Sequence, residues 1–226
     1  PLPLHDALPI FAGNVIEEMD FRNEAFNAEM LRYNMRDFPQ IEVPEIYESF
    51  STSKVITMSF VDGVKITEVS ELADQASGKE NLAQIFTEAM IRQVMIDGFF
   101  HADPHPGNLL VNLETGQITF LDLGMMGNLS SEQRLILLDL IWSLNDADTE
   151  HVANLVLKLA MPTQPIDLVA FNQDVDRMVK RHLVFGRGTP ELSIIVEEVF
   201  DLMFRYHLRL DQQFTLAFKA LMQAEE

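Results

Sequence analysis

The sequence predicts an α+β fold in which helices dominate, and three observations carry that reading. A helical pattern over 14–36 precedes two short β-like runs. A second helical stripe leads into a short hairpin near 109–121. Everything after residue 130 has helical periodicity.

Over 14–36, Val15, Ile16 and Met19, then Ala25, Phe26, Met30 and Tyr33 recur at helical spacing, and Pro39 closes the pattern. Ile46 to Phe50 and Val55 to Phe60 are expected as strands parted by the turn Ser51-Thr52-Ser53-Lys54, and Asp62-Gly63 breaks the second. Leu82, Ile85, Phe86, Ala89, Met90 and Val94 form an apolar stripe over 80–97, with Gly98 where a C′ glycine would stand. Leu109 to Val111 and Ile118 to Leu121 read as strands joined through Glu114-Thr115-Gly116. Ser130 with Gln133 is a capping-box signature. Further helices are expected near 148–160, 166–183, 190–208 and 211–224, punctuated by Pro162, Pro165 and Pro190.

Composition narrows the function classes. The 226 residues, 47% hydrophobic, are enough for one sizeable core. Sixteen basic against thirty-five acidic residues leave a formal charge of −19, a surface that repels phosphate backbones, so nucleic acid is not expected as a partner. The absence of cysteine excludes disulfides and thiolate metal sites. The most apolar stretch, Leu135 to Leu144, is broken by Asp139 and has half the length of a bilayer span. The opening PLPLHDALPI lacks the charged start and cleavage site of a signal peptide. Its LHDALPI matches one reading frame of a common sequencing adapter, so residues 1–10 are read as a non-native segment.

The chemistry concentrates in His101-Ala102-Asp103-Pro104-His105-Pro106-Gly107-Asn108. Two prolines and a glycine there stiffen a loop that holds Asp103 and Asn108 at a fixed separation. The second segment, Phe120-Leu121-Asp122-Leu123-Gly124, ends an apolar strand with an aspartate and a permissive glycine. H-x-D-x-x-x-x-N followed by D-x-G is the pattern phosphoryl transfer uses. Asp103 would orient or deprotonate the acceptor hydroxyl, while Asn108 and Asp122 would hold Mg²⁺ through oxygen. Taken singly, Asp-x-Gly is usually a turn, and Asp103 with Asn108 could be mutual loop capping. His101 and His105 have no third histidine or cysteine at zinc spacing and are read as loop-ordering hydrogen-bonders. Glu18, Asp20 and Glu24 cannot all point one way from a helix, and by themselves read as a solvated acidic face.

The proline-rich loop resembles the signature of the UbiB/ABC1/AarF atypical kinases, the family that includes the mitochondrial ADCK proteins. Glu18-x-Asp20-x-x-x-Glu24 resembles that family's acidic motif on the helix equivalent to kinase αC, and Asp122-Leu123-Gly124 stands at its metal-binding Asp-Phe-Gly position. Met58-Ser59-Phe60-Val61-Asp62-Gly63 is similar to its hinge, so the backbones of Met58 and Phe60 would meet the nucleotide. The resemblance covers roughly 14–226. It implies a protein-kinase-like fold, ATP with Mg²⁺ or Mn²⁺, and a role in ubiquinone or other isoprenoid-lipid metabolism at the cytoplasmic face of a membrane. Isoprenoid-quinone precursors or the lipid membrane itself would be partners. It also gives roles to the acidic helix: Glu24 would pair with the ATP-anchoring lysine, and Glu18 and Asp20 would engage a Lys-x-Gly-Gln extension.

Leu123 departs from the family's phenylalanine, and no lysine precedes Lys54. The chain is therefore expected to be a fragment: 1–10 adapter-derived, 11–61 a partial N-lobe with αC-like helix, strands and hinge, and 62–226 a helical C-lobe. It is expected to be soluble and inactive alone, with any membrane attachment in segments it lacks. Two rivals are an aminoglycoside-phosphotransferase-like small-molecule kinase, which would lack the Glu-x-Asp helix and the double proline, and a non-catalytic pseudokinase scaffold.

Overall fold

A computed structural model describes residues 20–68, 79–181 and 192–225. Residues 1–10, Glu18 and the first part of the expected 14–36 helix lie outside the described residues, as do 182–191, where two expected helices would end and begin. The chain divides into two compact units, Pro1–Ala89 with Phe100–Met126 and Met90–Phe99 with Gly127–Glu226.

In the first unit, α1 (Phe21–Asn34) starts later than its sequence pattern. Asp20 is extended at φ −99° and caps the helix, its carboxylate accepting from the Arg22 N–H at 3.1 Å, so no helix runs through it. The helix buries Ala28 and Leu31 and tightens into a 3₁₀ turn at Met35–Asp37. A four-stranded sheet follows. Its strands are β1 (Ile41–Glu42), β2 (Val64–Lys65), β4 (Leu109–Val111) and β5 (Ile118–Phe120), ordered β1-β5-β4-β2. β1 runs parallel to β5, and β4 pairs antiparallel with both β5 and β2. All three β5 residues are buried, as befits a central strand. Gly63 lets β2 approach β4: a Cβ there would stand 3.0 Å from the Val111 oxygen.

The two strands expected at 46–50 and 55–60 form only in fragments. Isolated bridges join Ile46 to Met58 and Thr52 to Val55, and Glu48–Phe50 is a 3₁₀ turn. Backbone bonds from the Tyr47 N–H to the Thr57 carbonyl and from the Ser59 N–H to the Glu45 carbonyl, both 2.8 Å, are supplemented by side chains. Ser51 Oγ accepts from the Thr57 N–H at 2.9 Å, and Thr57 Oγ1 donates to the Phe50 carbonyl at 2.8 Å.

The expected helix over 80–97 is α2 (Lys79–Ile91), which loosens into a π-helical turn at Arg92–Asp97. Gly98 stops it in the left-handed region at φ +72°, and its carbonyl accepts from the Leu129 N–H at 2.7 Å. β3 (Phe99–His101) and β6 (Met126–Asn128) flank the β4–β5 hairpin in sequence. The capping box forms as the sequence predicts. Ser130 Oγ accepts from the Gln133 N–H, and Gln133 Oε1 accepts from the Ser130 N–H at 2.8 Å.

The second unit is then built of α3 (Ser131–Asn145), α4 (Thr149–Leu159), α5 (Leu168–Val179), α6 (Leu192–Arg205) and α7 (Gln212–Glu225). Asp148 and Asp167 cap α4 and α5 through their carboxylates. Unforeseen is the antiparallel pair β7 (Ala160–Pro162) and β8 (Leu208–Leu210). The sequence pattern ends helices at Ala160 and Leu208, where these two strands begin. Among the described residues no helix is long and apolar enough to cross a membrane.

Candidate functional site

The site lies in the first unit and begins where β3 delivers His101 to the interior. His101 is 1% exposed and its ring tilts against Phe120 at 5.7 Å. Its Nδ1 accepts from the Asp103 N–H at 3.2 Å, which ties the ring to the backbone of the half-buried Asp103. The Asp103 carbonyl accepts from the His105 N–H at 2.7 Å. His105 Nδ1 in turn accepts from the Gly107 N–H at 3.0 Å, capping a 3₁₀ turn over Pro106–Asn108. The Asn108 N–H donates to the His105 carbonyl at 2.8 Å. Each link spans two or three residues, so the loop from Asp103 to Asn108 is fixed by its own main chain and two imidazoles.

The second segment is joined to that loop directly. The Leu121 N–H donates to the Asn108 carbonyl at 2.8 Å, continuing the β4–β5 ladder, in which Leu109 faces Phe120. Asn108 and Asp122 therefore leave adjacent strands at the same end of the hairpin. Asp122 is exposed and adopts φ +51°, a left-handed conformation that a non-glycine residue holds only when its surroundings impose it. The Gly124 N–H faces its Oδ1 at 3.4 Å.

Helix α1 holds the next residue. Glu24 accepts a hydrogen bond from the Leu123 backbone, and Asn27 Nδ2 donates to the Leu123 carbonyl at 2.8 Å. Both ends of one buried residue are thus held by one helical turn. Glu24, Ala28, Ile46, Met58, Asp122 and Leu123 are among the residues lining a crevice of about 10 Å³. That is room for about one water.

The electrostatics follow from the packing. Burial pushes the Glu24 carboxyl above its ordinary range and the charge of Asp122 adds to this, while the Leu123 backbone bond partly offsets them. Burial holds the His101 imidazole below its ordinary range, against the opposing pull of the Leu121 backbone, Asp122 and Asp103. His101 is therefore neutral near pH 7.

Asn108 and Asp122 stand at one end of the β4–β5 hairpin, Asp103 lies on the loop that leads into it, and Glu24 and Met58 line the crevice together with Asp122. Phe60 is 92% exposed and does not line the crevice. Asp20 is spent on capping and on its ion pair with Arg22 Nε at 2.9 Å, which holds its carboxyl below the ordinary range. Asn27 was missed by the sequence reading. Its signal was available: it stands three residues after Glu24, on the same helical face.

The donors suit a hard divalent cation. Asn108 and Asp122 offer oxygen, and the chain has no cysteine to offer a competing thiolate. Among the described residues no group of three or more His, Cys, Asp or Glu gathers to hold an ion unaided. An ion here would take further oxygens from a phosphate ligand or water, the usual habit of Mg²⁺.

Comparison with known proteins adds a family context. Residues 3–156 match the family model described as the ABC1 atypical kinase-like domain. The Arabidopsis thaliana chloroplastic protein ACTIVITY OF BC1 COMPLEX KINASE 7 is 32% identical over 205 residues, covering 90% of this chain and 29% of its own length. ACTIVITY OF BC1 COMPLEX KINASE 8 from the same plant is 33% identical over 160 residues, covering 70% of this chain and 21% of its own. The chain thus spans under a third of the length of these relatives. Among solved structures, the Mycobacterium tuberculosis Rv3197–erythromycin complex aligns with a TM-score of 0.63 at 17% identity, covering 99% of this chain and 59% of that one. That likeness shows a shared kinase-like fold.

Proposed function

Since the chain belongs to the ABC1 atypical kinase-like family, we propose that its hairpin site serves ATP-dependent phosphoryl transfer, or ATP hydrolysis, in the whole protein. The observation that carries this is the Leu121–Asn108 backbone bond, which fixes Asn108 and Asp122 at one hairpin end, with Asp103 on the same rigid loop.

In this reading Asn108 and Asp122 hold Mg²⁺ or Mn²⁺ through oxygen. The ion, when bound, neutralises charge on the nucleotide phosphates. Asp103 orients the acceptor hydroxyl, or a water, and takes its proton as the new oxygen–phosphorus bond forms and the bond to ADP breaks. Glu24 and Asn27 hold the Leu123 peptide, so that Asp122 keeps its left-handed turn. The crevice beside Met58 must widen to admit an adenine base, since it now has room for about one water. By the family resemblance, the work would lie in ubiquinone or other isoprenoid-lipid metabolism at a membrane.

The test separates binding from turnover in the whole protein. Asp122→Asn is expected to abolish Mg²⁺-dependent nucleotide binding in calorimetry. Asp103→Ala should leave binding intact and lose turnover. Unchanged nucleotide affinity in Asp122→Asn would remove Asp122 from this role. Wild-type turnover in Asp103→Ala would do the same for Asp103.

A further inference from the structure

We infer that the helical second unit holds a binding site for one small, uncharged hydrocarbon molecule. The site is a cavity of about 180 Å³. Leu137, Leu140 and Leu144 of α3, Val199, Phe200 and Met203 of α6 and Phe218 of α7 line it. The spacing explains the shape. Residues three and four apart on each helix put one apolar stripe on each wall. Phe200 and Phe218 meet edge to face at 6.0 Å and 80°, a fixed wall rather than a collapsible one.

Protein interiors are close-packed, and voids larger than a few waters are uncommon in them. This one is lined by Ile, Leu, Val, Met and Phe throughout. An apolar cavity of roughly 150 Å³ stays dry and takes up benzene. The present cavity is slightly larger and equally apolar.

The chemistry commits the occupant. A ligand that hydrogen-bonds or carries charge would give up its hydration and find no partner on these walls. The chain's formal charge of −19 further disfavours an anionic amphiphile. Access is provided at Ile91 and Ile141, which line the cavity yet remain 46% and 53% exposed. None of these residues lines the crevice beside Asp122. The inference is therefore independent of the phosphoryl-transfer reading.

The experiment is calorimetric titration of the purified protein with benzene, using benzoate as a charged control of similar size. Benzene should bind saturably, one per chain, and raise the melting temperature, whereas benzoate should do neither. Val199→Phe and Leu144→Phe fill the cavity from two different helices. Each variant that retains its helical circular dichroism should bind benzene at least tenfold more weakly. The inference is overturned by non-saturable uptake of benzene, by benzoate binding as well as benzene, or by wild-type affinity in a folded variant. The unsubstituted protein decides the first two whether or not the variants fold.

Discussion

Asn27 donates its side-chain amide to the carbonyl of Leu123 at 2.8 Å, across 96 positions of sequence. With Glu24 bound to the backbone of the same residue, α1 reads the conformation of the Asp122-Leu123 turn rather than merely packing on it. Removing the amide leaves a part-buried carbonyl without that donor. Asn27→Ala should cost about 1 kcal/mol in chemical denaturation. Asn27→Asp should cost more, because it sets a carboxylate against a carbonyl close to Glu24 and Asp122. Equal stability of the two variants would show that the contact is incidental.

Glu24 gives a pH signature. Its carboxyl titrates above the ordinary range, so the folded state holds the proton more tightly than the unfolded chain does. Ionisation therefore weakens the fold as pH rises through the glutamate range. Glu24→Gln keeps an oxygen for the Leu123 backbone and removes the charge. In chelator and without nucleotide, it should melt higher than the unsubstituted protein at pH 7, and the gain should vanish by about pH 4. A gain that grows on acidification would reverse the assignment.

Two glycines with the same φ of +72° separate conformational strain from steric clash. A Cβ at Gly98 would stand 2.5 Å from the Leu129 oxygen, whereas nothing lies within 4 Å of one at Gly116. Gly116→Ala should cost about 1–2 kcal/mol, the left-handed penalty alone. Gly98→Ala should exceed it clearly in the same urea titration. Equal costs would mean that the chain around Leu129 yields freely.

The 226-residue chain alone should show no measurable ATPase or kinase activity. No lysine precedes Lys54 to face the phosphates, and the formal charge of −19 repels a nucleotide. Its affinity for Mg-ATP should be weaker than about 1 mM, equivalent to roughly 4 kcal/mol. A micromolar, nucleotide-dependent rise in melting temperature would contradict this.

What was legible in the sequence was what local chemistry controls. Gly98, the Ser130–Gln133 box and the β4–β5 hairpin each act within a few residues, and each forms where its residues predict. The proline-rich loop was legible for the same reason, since its bonds link neighbours. What escaped depends on distant partners. β7 and β8 pair across nearly fifty residues, and β1 finds β5 from far away in sequence. The strands expected at 46–50 and 55–60 shrink to isolated bridges, where the hydroxyls of Ser51, in the expected turn, and of Thr57 take backbone partners. Asp20 misled similarly: an acid counted as helical turned out to be the cap that starts the helix.

The β7–β8 pair has an evolutionary consequence. Just beyond it, the Thr163 N–H and hydroxyl both donate to the His207 carbonyl, 44 positions on, at 2.9 and 2.8 Å. The excursion between these residues carries α5 and α6 and is pinned at its base by that one carbonyl. An insertion within it among descendants of this gene therefore need not propagate, because three paired residues on either side keep the register of everything that follows.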